Sequence, residues 1–299
     1  MIRSVTDSNA RPVRPGRPDT PETSELRALR ERQPQLADAI DMHIDLLAVQ
    51  RRVQVRIPLP SFDLDTGIMR RHQEEARPLL RFEQIPLDPT DLRLVLRQTA
   101  EIMRRFEALE EADYASVQVL DRDRSLVAVV AEWYRATAEE HAAGGHSADV
   151  DPQPSPVENG AHGQVLTLAL RPFLSRCAEV LQPRTELAIW SHPHCPLCGG
   201  EPELAVITPA GERHLICGRC TLQWKFDPLT CPYCRNEDRS TISSFATPDG
   251  QYRVYACNAC KRYLKTYDAR RSTRPVMPMV DSVATLPLDA AAMQRGYGG

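Results

Sequence analysis

Eight of the nine cysteines stand in Cys-x-x-Cys pairs: Cys195/Cys198, Cys217/Cys220, Cys231/Cys234 and Cys257/Cys260. Two intervening residues let both thiolates of a pair face one ion while backbone N–H groups point at the sulfurs. Tetrahedral zinc or iron takes four such ligands at about 2.3 Å, so two pairs make one site. Four cysteines fill the coordination sphere and leave no open position for Lewis-acid chemistry. The expected role is therefore structural, with a redox or iron-sensing role as the alternative. No P-loop, GxGxxG or HExxH motif occurs, no catalytic residue is assigned, and the chain reads as a non-enzyme. Cys177, on a helical pattern with Leu170, Leu174 and Leu181, reads as a small buried hydrophobe.

Which pairs share an ion follows from the sequence between them. The stretch CGRCTLQWKFDPLTCPYC brings Cys217/Cys220 close to Cys231/Cys234, and a common site would leave Cys195/Cys198 to find Cys257/Cys260. Closure entropy does not forbid that, because each doubling of loop length costs only about 0.6 kcal/mol. The intervening strands decide. ELAVITPAGERHLI after Cys198 and STISSFATPDGQYRVYA after Cys234 each read as two strands around a Gly-containing turn. Each hairpin carries the chain from one knuckle to the next. An aromatic strand then follows each second pair, LQWKFD and RYLKTYD, so the unit repeats over about 195–227 and 231–268. The expected sites are Cys195, Cys198, Cys217 and Cys220 (site 1) and Cys231, Cys234, Cys257 and Cys260 (site 2).

The elements that must carry these sites change character near Trp190. Residues 1–22 are rich in Pro, Arg, Ser and Thr and read as a disordered arm. From Thr23, Leu26, Leu29, Leu36, Ile40, Ile44 and Leu47 recur at helical spacing, with Pro34 a break between two helices. Asp88 and Pro89 read as an N-cap and first helical residue ahead of Leu92, Val95, Leu96, Thr99 and Met103. Pro172 is expected to kink a later helix. Residues 142–163 read as a flexible loop, whose His146 and His162 are taken as solvated. The expected architecture is a multidomain chain: an all-α bundle over 23–189, then two tandem rubredoxin-like or zinc-ribbon modules over 190–229 and 230–272, then a C-terminal tail over 273–299.

Charge follows the same division. Residues 23–189 carry 20 Arg, no Lys and 27 acidic residues, whereas residues 190–272 carry 11 basic and 8 acidic residues, including all three lysines. A formal net charge of −3 argues against a protein built mainly to coat nucleic acid. No run approaches the roughly 18 apolar residues of a membrane span, and the N-terminal residues contain no apolar signal-peptide core. The chain therefore reads as cytoplasmic, where paired cysteines bind metal more often than they form disulfides.

In these motifs the chain resembles the FdhE family of formate dehydrogenase accessory proteins. The matching stretches are Trp190 followed by CPLCGG, RHLICGRC with Trp224, CPYC, CNACKRYLKTYD and the tail DSVATLPLDAAAMQRGYG. The resemblance covers about 190–297 and departs at Pro228, where an Arg is expected between Trp224 and Cys231. It implies a cytoplasmic assembly factor that binds the catalytic subunit of a respiratory molybdenum formate dehydrogenase before export. It implies rubredoxin-like iron on the eight paired cysteines, although the spacing serves iron and zinc equally, and a tail packed as a short helix. Trp224, Tyr263, Leu264 and Lys265 become candidate partner-binding residues, and the assembly is compatible with a homodimer.

A nucleic-acid-binding ribbon is the main rival, because Lys225, Arg253, Lys261, Arg262 and Lys265 interleave with Trp224, Tyr252, Tyr255, Tyr263 and Tyr267 as in a stacking platform. An excess of three positive charges over 83 residues is weak for phosphate binding. A dithiol enzyme needs a βαβ context that hairpins do not supply.

Overall fold

The computed structural model describes residues 19–142, 160–184 and 190–298. The arm expected over 1–22 and the loop expected over 142–163, with its His146, lie mostly outside the described residues. Proline and capping chemistry set the first helix boundaries. Helix α1 (Pro21–Arg32) begins where Pro21 takes the first position and the Thr20 hydroxyl accepts the Thr23 N–H. Pro34 opens a single 3-10 turn, Pro34–Leu36, before α2 (Ala37–Gln54). Helix α4 (Pro89–Arg105) is capped by Asp88, whose carboxylate accepts the N–H groups of Thr90 and Asp91. Its residues Leu92, Val95, Leu96, Thr99 and Met103 are all buried.

Helices α3 (Thr66–Glu74), α5 (Glu111–Arg122) and α6 (Leu126–Ala142) complete the layer around α7 (Ala161–Leu181). Helix α7 packs on α2, α4 and α5 and runs uninterrupted through Pro172. Proline has no N–H for the carbonyl four residues earlier. Here that carbonyl, on Leu168, accepts the Gln50 side-chain amide at 2.9 Å. Cys177 on the same helix is fully buried, and burial pushes its thiol up to about 12, consistent with an inert hydrophobe.

The two ribbons do not stand apart as separate modules. The first contributes β1 (Pro202–Ile207), β2 (Arg213–Cys217) and β3 (Gln223–Lys225); the second contributes β4 (Ile242–Ala246), β5 (Tyr252–Cys257) and β6 (Tyr263–Asp268). All six form one sheet in the order β3-β2-β1-β6-β5-β4, joined by a parallel pairing in which Leu204 meets Lys265 and Ile207 meets Asp268. All six residues of β6 are buried, as befits an inner strand covered on both faces.

Side-chain alternation then divides the sheet's two faces. Ala205, Leu215 and Leu264 join the core shared with the helical bundle. Leu204, Val206, Ile216 and Tyr263 turn to the other face, where Leu288 and Ala292 of the C-terminal helix cover them. The tail forms two short helices rather than one, α8 (Pro278–Ala284) and α9 (Leu286–Met293). Val280 and Val283 of α8 pack against Leu26, Leu29, Ile40 and Leu47 of α1 and α2. The end of the chain thus touches both its first helices and its sheet. Among the described residues, no helix is long and apolar enough to cross a membrane.

Candidate metal centres

Each Cys-x-x-Cys pair folds into the same five-residue loop. The first cysteine donates its N–H to the carbonyl five residues on, and its own carbonyl accepts the N–H four residues on. The bonds are Cys195 to Gly200 and Gly199 to Cys195, then Cys217 to Leu222 and Thr221 to Cys217. The third and fourth loops repeat them as Cys231 to Asn236 with Arg235 to Cys231, and Cys257 to Arg262 with Lys261 to Cys257. The residue after each second cysteine is left-handed: Gly199, Thr221, Arg235 and Lys261 have φ of 74°, 61°, 58° and 59°. Only the first is a glycine, so three of the four loops carry an unfavourable conformation of about 1–2 kcal/mol each. Apart from the cysteines themselves, residue type carries no signal of this repeat.

These loops bring the sulfurs together in two groups, each with all four Sγ atoms within 4.8 Å of one another. Cys195, Cys198, Cys217 and Cys220 form one; Cys231, Cys234, Cys257 and Cys260 form the other. Cys217/Cys220 and Cys231/Cys234, close in sequence, therefore belong to different groups. In site 1, Cys195–Cys220 and Cys198–Cys217 are 3.6 and 3.5 Å apart, and in site 2, Cys231–Cys260 and Cys234–Cys257 are 3.8 and 3.7 Å apart. A tetrahedron with arms of about 2.3 Å has edges of about 3.8 Å, so the sulfurs fit one ion per group. None of the nine cysteines forms a disulfide. The Arg219 N–H and the Asn236 amide donate to Cys217 and Cys257 sulfurs at 3.4 and 3.8 Å, the kind of support a thiolate centre receives.

Arg219, between the site 1 residues Cys217 and Cys220, is 3% exposed and sits over the Trp133 ring at 4.9 Å.

The two sites differ in their surroundings. Site 1 is buried throughout, whereas Cys234 leaves site 2 half-exposed. The first knuckle is also hydrogen-bonded to the helical part, with Leu79 and Leu80 N–H groups donating to the Pro196 and Leu197 carbonyls at 3.0 and 2.8 Å. His72 stacks on Trp190 at 4.3 Å, and the Trp190 indole donates to the His194 carbonyl at 2.9 Å. Gly199 closes this contact. A Cβ there would lie 2.9 Å from Pro78 Cγ and 3.1 Å from Ala138 Cβ. Gly199→Ala is expected to lose about 2–4 kcal/mol through overlap and left-handed strain. Arg235→Gly, at the matching position of the third knuckle, is expected to be neutral or stabilising by up to about 1 kcal/mol. Denaturant melts of both variants check the pair.

The candidate partner-binding residues require a correction. Trp224, Tyr263, Leu264 and Lys265 are 1%, 7%, 1% and 8% exposed. Trp224 donates to the His192 carbonyl, while Tyr263 and Lys265 both bond the Asp289 carboxylate, at 2.7 and 2.9 Å. Helix α9 supplies Asp289 and covers the strand that was expected to meet a partner. Of the aromatics in a stacking platform, Tyr252 and Tyr267 are buried as well. Sequence reasoning missed Asp289, Arg171 and Arg219, whose partners lie far along the chain.

Comparisons with known proteins converge on one group. Residues 194–227, which hold all four site 1 cysteines, match the family model described as FdhE, central domain. A protein named "Protein FdhE homolog" from Shewanella oneidensis is 34% identical over 108 residues, 35% of this chain and 35% of that protein. One of the same name from Haemophilus ducreyi is 29% identical over 133 residues, 44% of this chain and 43% of that protein. The matched stretch thus spans well under half the length of these relatives. The crystal structure of the FdhE protein from Pseudomonas aeruginosa shares the fold over 93% of this chain and 91% of that chain, with a TM-score of 0.60 and 20% identity. The chain thus carries a match to the FdhE central domain around its site 1 cysteines, within a fold shared with a solved FdhE protein.

Proposed function

We propose that the protein is a cytoplasmic accessory factor that binds the catalytic subunit of a molybdenum formate dehydrogenase and assists its assembly before export. The observation carrying this reading is the FdhE central domain at residues 194–227, coincident with site 1. In this reading the eight paired cysteines hold two metal ions, iron or zinc, that keep the ribbons folded and docked, and the protein performs no catalysis. Fully cysteine-ligated ions offer no open coordination position, and the work is done by binding.

The nucleic-acid reading loses its main support. Stacking on single strands needs exposed aromatic faces, and Trp224, Tyr252, Tyr263 and Tyr267 are buried. The test is isolation of the tagged full chain from a nuclease-treated native lysate prepared without oxygen. A molybdenum formate dehydrogenase catalytic subunit is expected to accompany it. Its absence, with nucleic acid or ribosomal proteins retained from untreated lysate, would overturn the accessory reading.

A further inference from the structure

The two ribbons meet at a buried contact that touches all four knuckles. Glu201 follows directly on the first. The Gly200 carbonyl before it accepts the Cys195 N–H, and the Glu201 carbonyl accepts the N–H of Gly218, between Cys217 and Cys220, at 3.0 Å. Arg262 belongs to the fourth, since its carbonyl accepts the Cys257 N–H at 2.9 Å and closes that loop. The two side chains form a two-pronged pair, with Arg262 Nη1 and Nη2 donating to the Glu201 carboxylate at 2.8 and 2.6 Å. Tyr233, between Cys231 and Cys234 in the third knuckle, places its ring 3.8 Å from the Arg262 guanidinium and donates its hydroxyl to the Pro202 carbonyl at 3.2 Å. Arg262 and Tyr233 are 6% and 9% exposed.

This contact depends on both sets of loops. Lys261, immediately before Arg262, is held left-handed at φ 59° in the closed fourth loop, a conformation that a lysine leaves when the closure is released. Opening the knuckles of either site therefore shifts one member of a buried ion pair, and separating such partners is costly. The parallel pairing of β1 with β6 also joins the ribbons, but it runs from Leu204 and Lys265 onward, and none of its paired residues belongs to a knuckle.

We propose that Glu201, Arg262 and Tyr233 couple the two metal sites, so that an ion held at one strengthens binding at the other. Each ion favours the same closed arrangement of the contact, and linkage makes the effect mutual. The three are positioning residues; none is a ligand. The inference rests on the two-ion reading above and not on the accessory role.

Site-resolved competition tests it. The full chain, loaded with zinc, is equilibrated with graded chelator and its metal content is measured. Thiols freed at each site are pulse-alkylated and assigned by peptide mass spectrometry. The free zinc at which site 2 half-empties is expected to rise roughly tenfold in Cys198→Ser. In a Glu201→Gln chain the same comparison, with and without Cys198→Ser, is expected to give a ratio below about threefold. A residue that only stabilised the fold would weaken site 2 in both backgrounds and leave the ratio unchanged. If site 1 empties first, the ratio is read there with Cys234→Ser. If Glu201→Gln does not fold, Arg262→Lys, which keeps the charge but not the fork, takes its place. Two bound ions with a ratio below about threefold in the parent chain, or a ratio that stays above it in these variants, would overturn the proposal alone. A chain that holds no zinc would overturn the two-ion reading with it.

Discussion

Cys198→Ser is expected to bind one metal ion per chain instead of two and to lose the cooperative melting of the whole molecule, whereas Cys234→Ser loses an ion with a much smaller shift. Structural zinc sites contribute about 10–16 kcal/mol of apparent binding free energy, comparable to the entire stability of a domain at about 5–15 kcal/mol. What separates the two variants is the consequence of local unfolding. Cysteines of both sites join the core shared with the helices, but site 1 is also hydrogen-bonded to the helical part. Its second knuckle receives the Arg171 guanidinium on the Gly218 carbonyl, and its first accepts the Leu79 and Leu80 N–H groups. Unravelling it strips a face from the bundle. Site 2 sits toward β4, an edge strand exposed along most of its length, and its loss is absorbed locally. The same asymmetry predicts the order of metal loss: a chelator removes the site 2 ion first, through the half-exposed Cys234. Metal analysis by mass spectrometry, calorimetric melting and limited proteolysis of both variants check this. Two ions retained in Cys198→Ser, or equal melting shifts, would refute it.

Much of this arrangement is readable along the chain, and the parts that are not share a physical cause. Asp88 and Pro89, the break at Pro34, and the two hairpins rest on local rules, and each acts within a few residues. The grouping of the cysteines was legible because hairpins bring chain ends back together. The parallel pairing of β1 with β6 was not, since nothing local specifies a partner some 60 residues away. The run Leu204–Ala205–Val206–Ile207 was the available hint, because continuous apolar strands belong in the middle of a sheet. Lys265 misled for the same reason. A lysine on an alternating strand reads as solvent-facing until Asp289, from the far side of the tail, is seen beside it. Helices α3 and α5 are short, and α5 buries only Val117, too little to register as a period.

Asp281→Ala is expected to destabilise the folded chain by about 3–5 kcal/mol, because it breaks a buried charge pair and leaves the partly buried Arg274 only the more distant Glu25, at 3.7 Å. Asp281 is 0% exposed. Its carboxylate accepts the Tyr252 hydroxyl at 2.6 Å, Arg274 Nη2 at 2.6 Å and the Met277 N–H at 2.7 Å. Arg274 also lies over the Tyr267 ring at 5.2 Å and donates to the Tyr252 hydroxyl at 3.1 Å. One carboxylate therefore ties the tail to two strands of the second ribbon, while α8 around it packs on α1 and α2. Breaking a charge pair and replacing it are different perturbations: removing one member strands the other, whereas exchanging both for apolar groups removes the desolvation cost as well. The double variant Asp281→Leu, Arg274→Leu is accordingly expected to lose clearly less than the sum of the two single changes, with a coupling of about 1–3 kcal/mol. Urea melts of the four species measure it, and protease cleavage within the tail should appear first in Asp281→Ala. A loss below about 1 kcal/mol in Asp281→Ala, or strict additivity, would mean the tail is held by Val280, Val283 and Leu288 with the Asp289 bonds to Tyr263 and Lys265. The buried carboxylate would then be incidental to closing the fold.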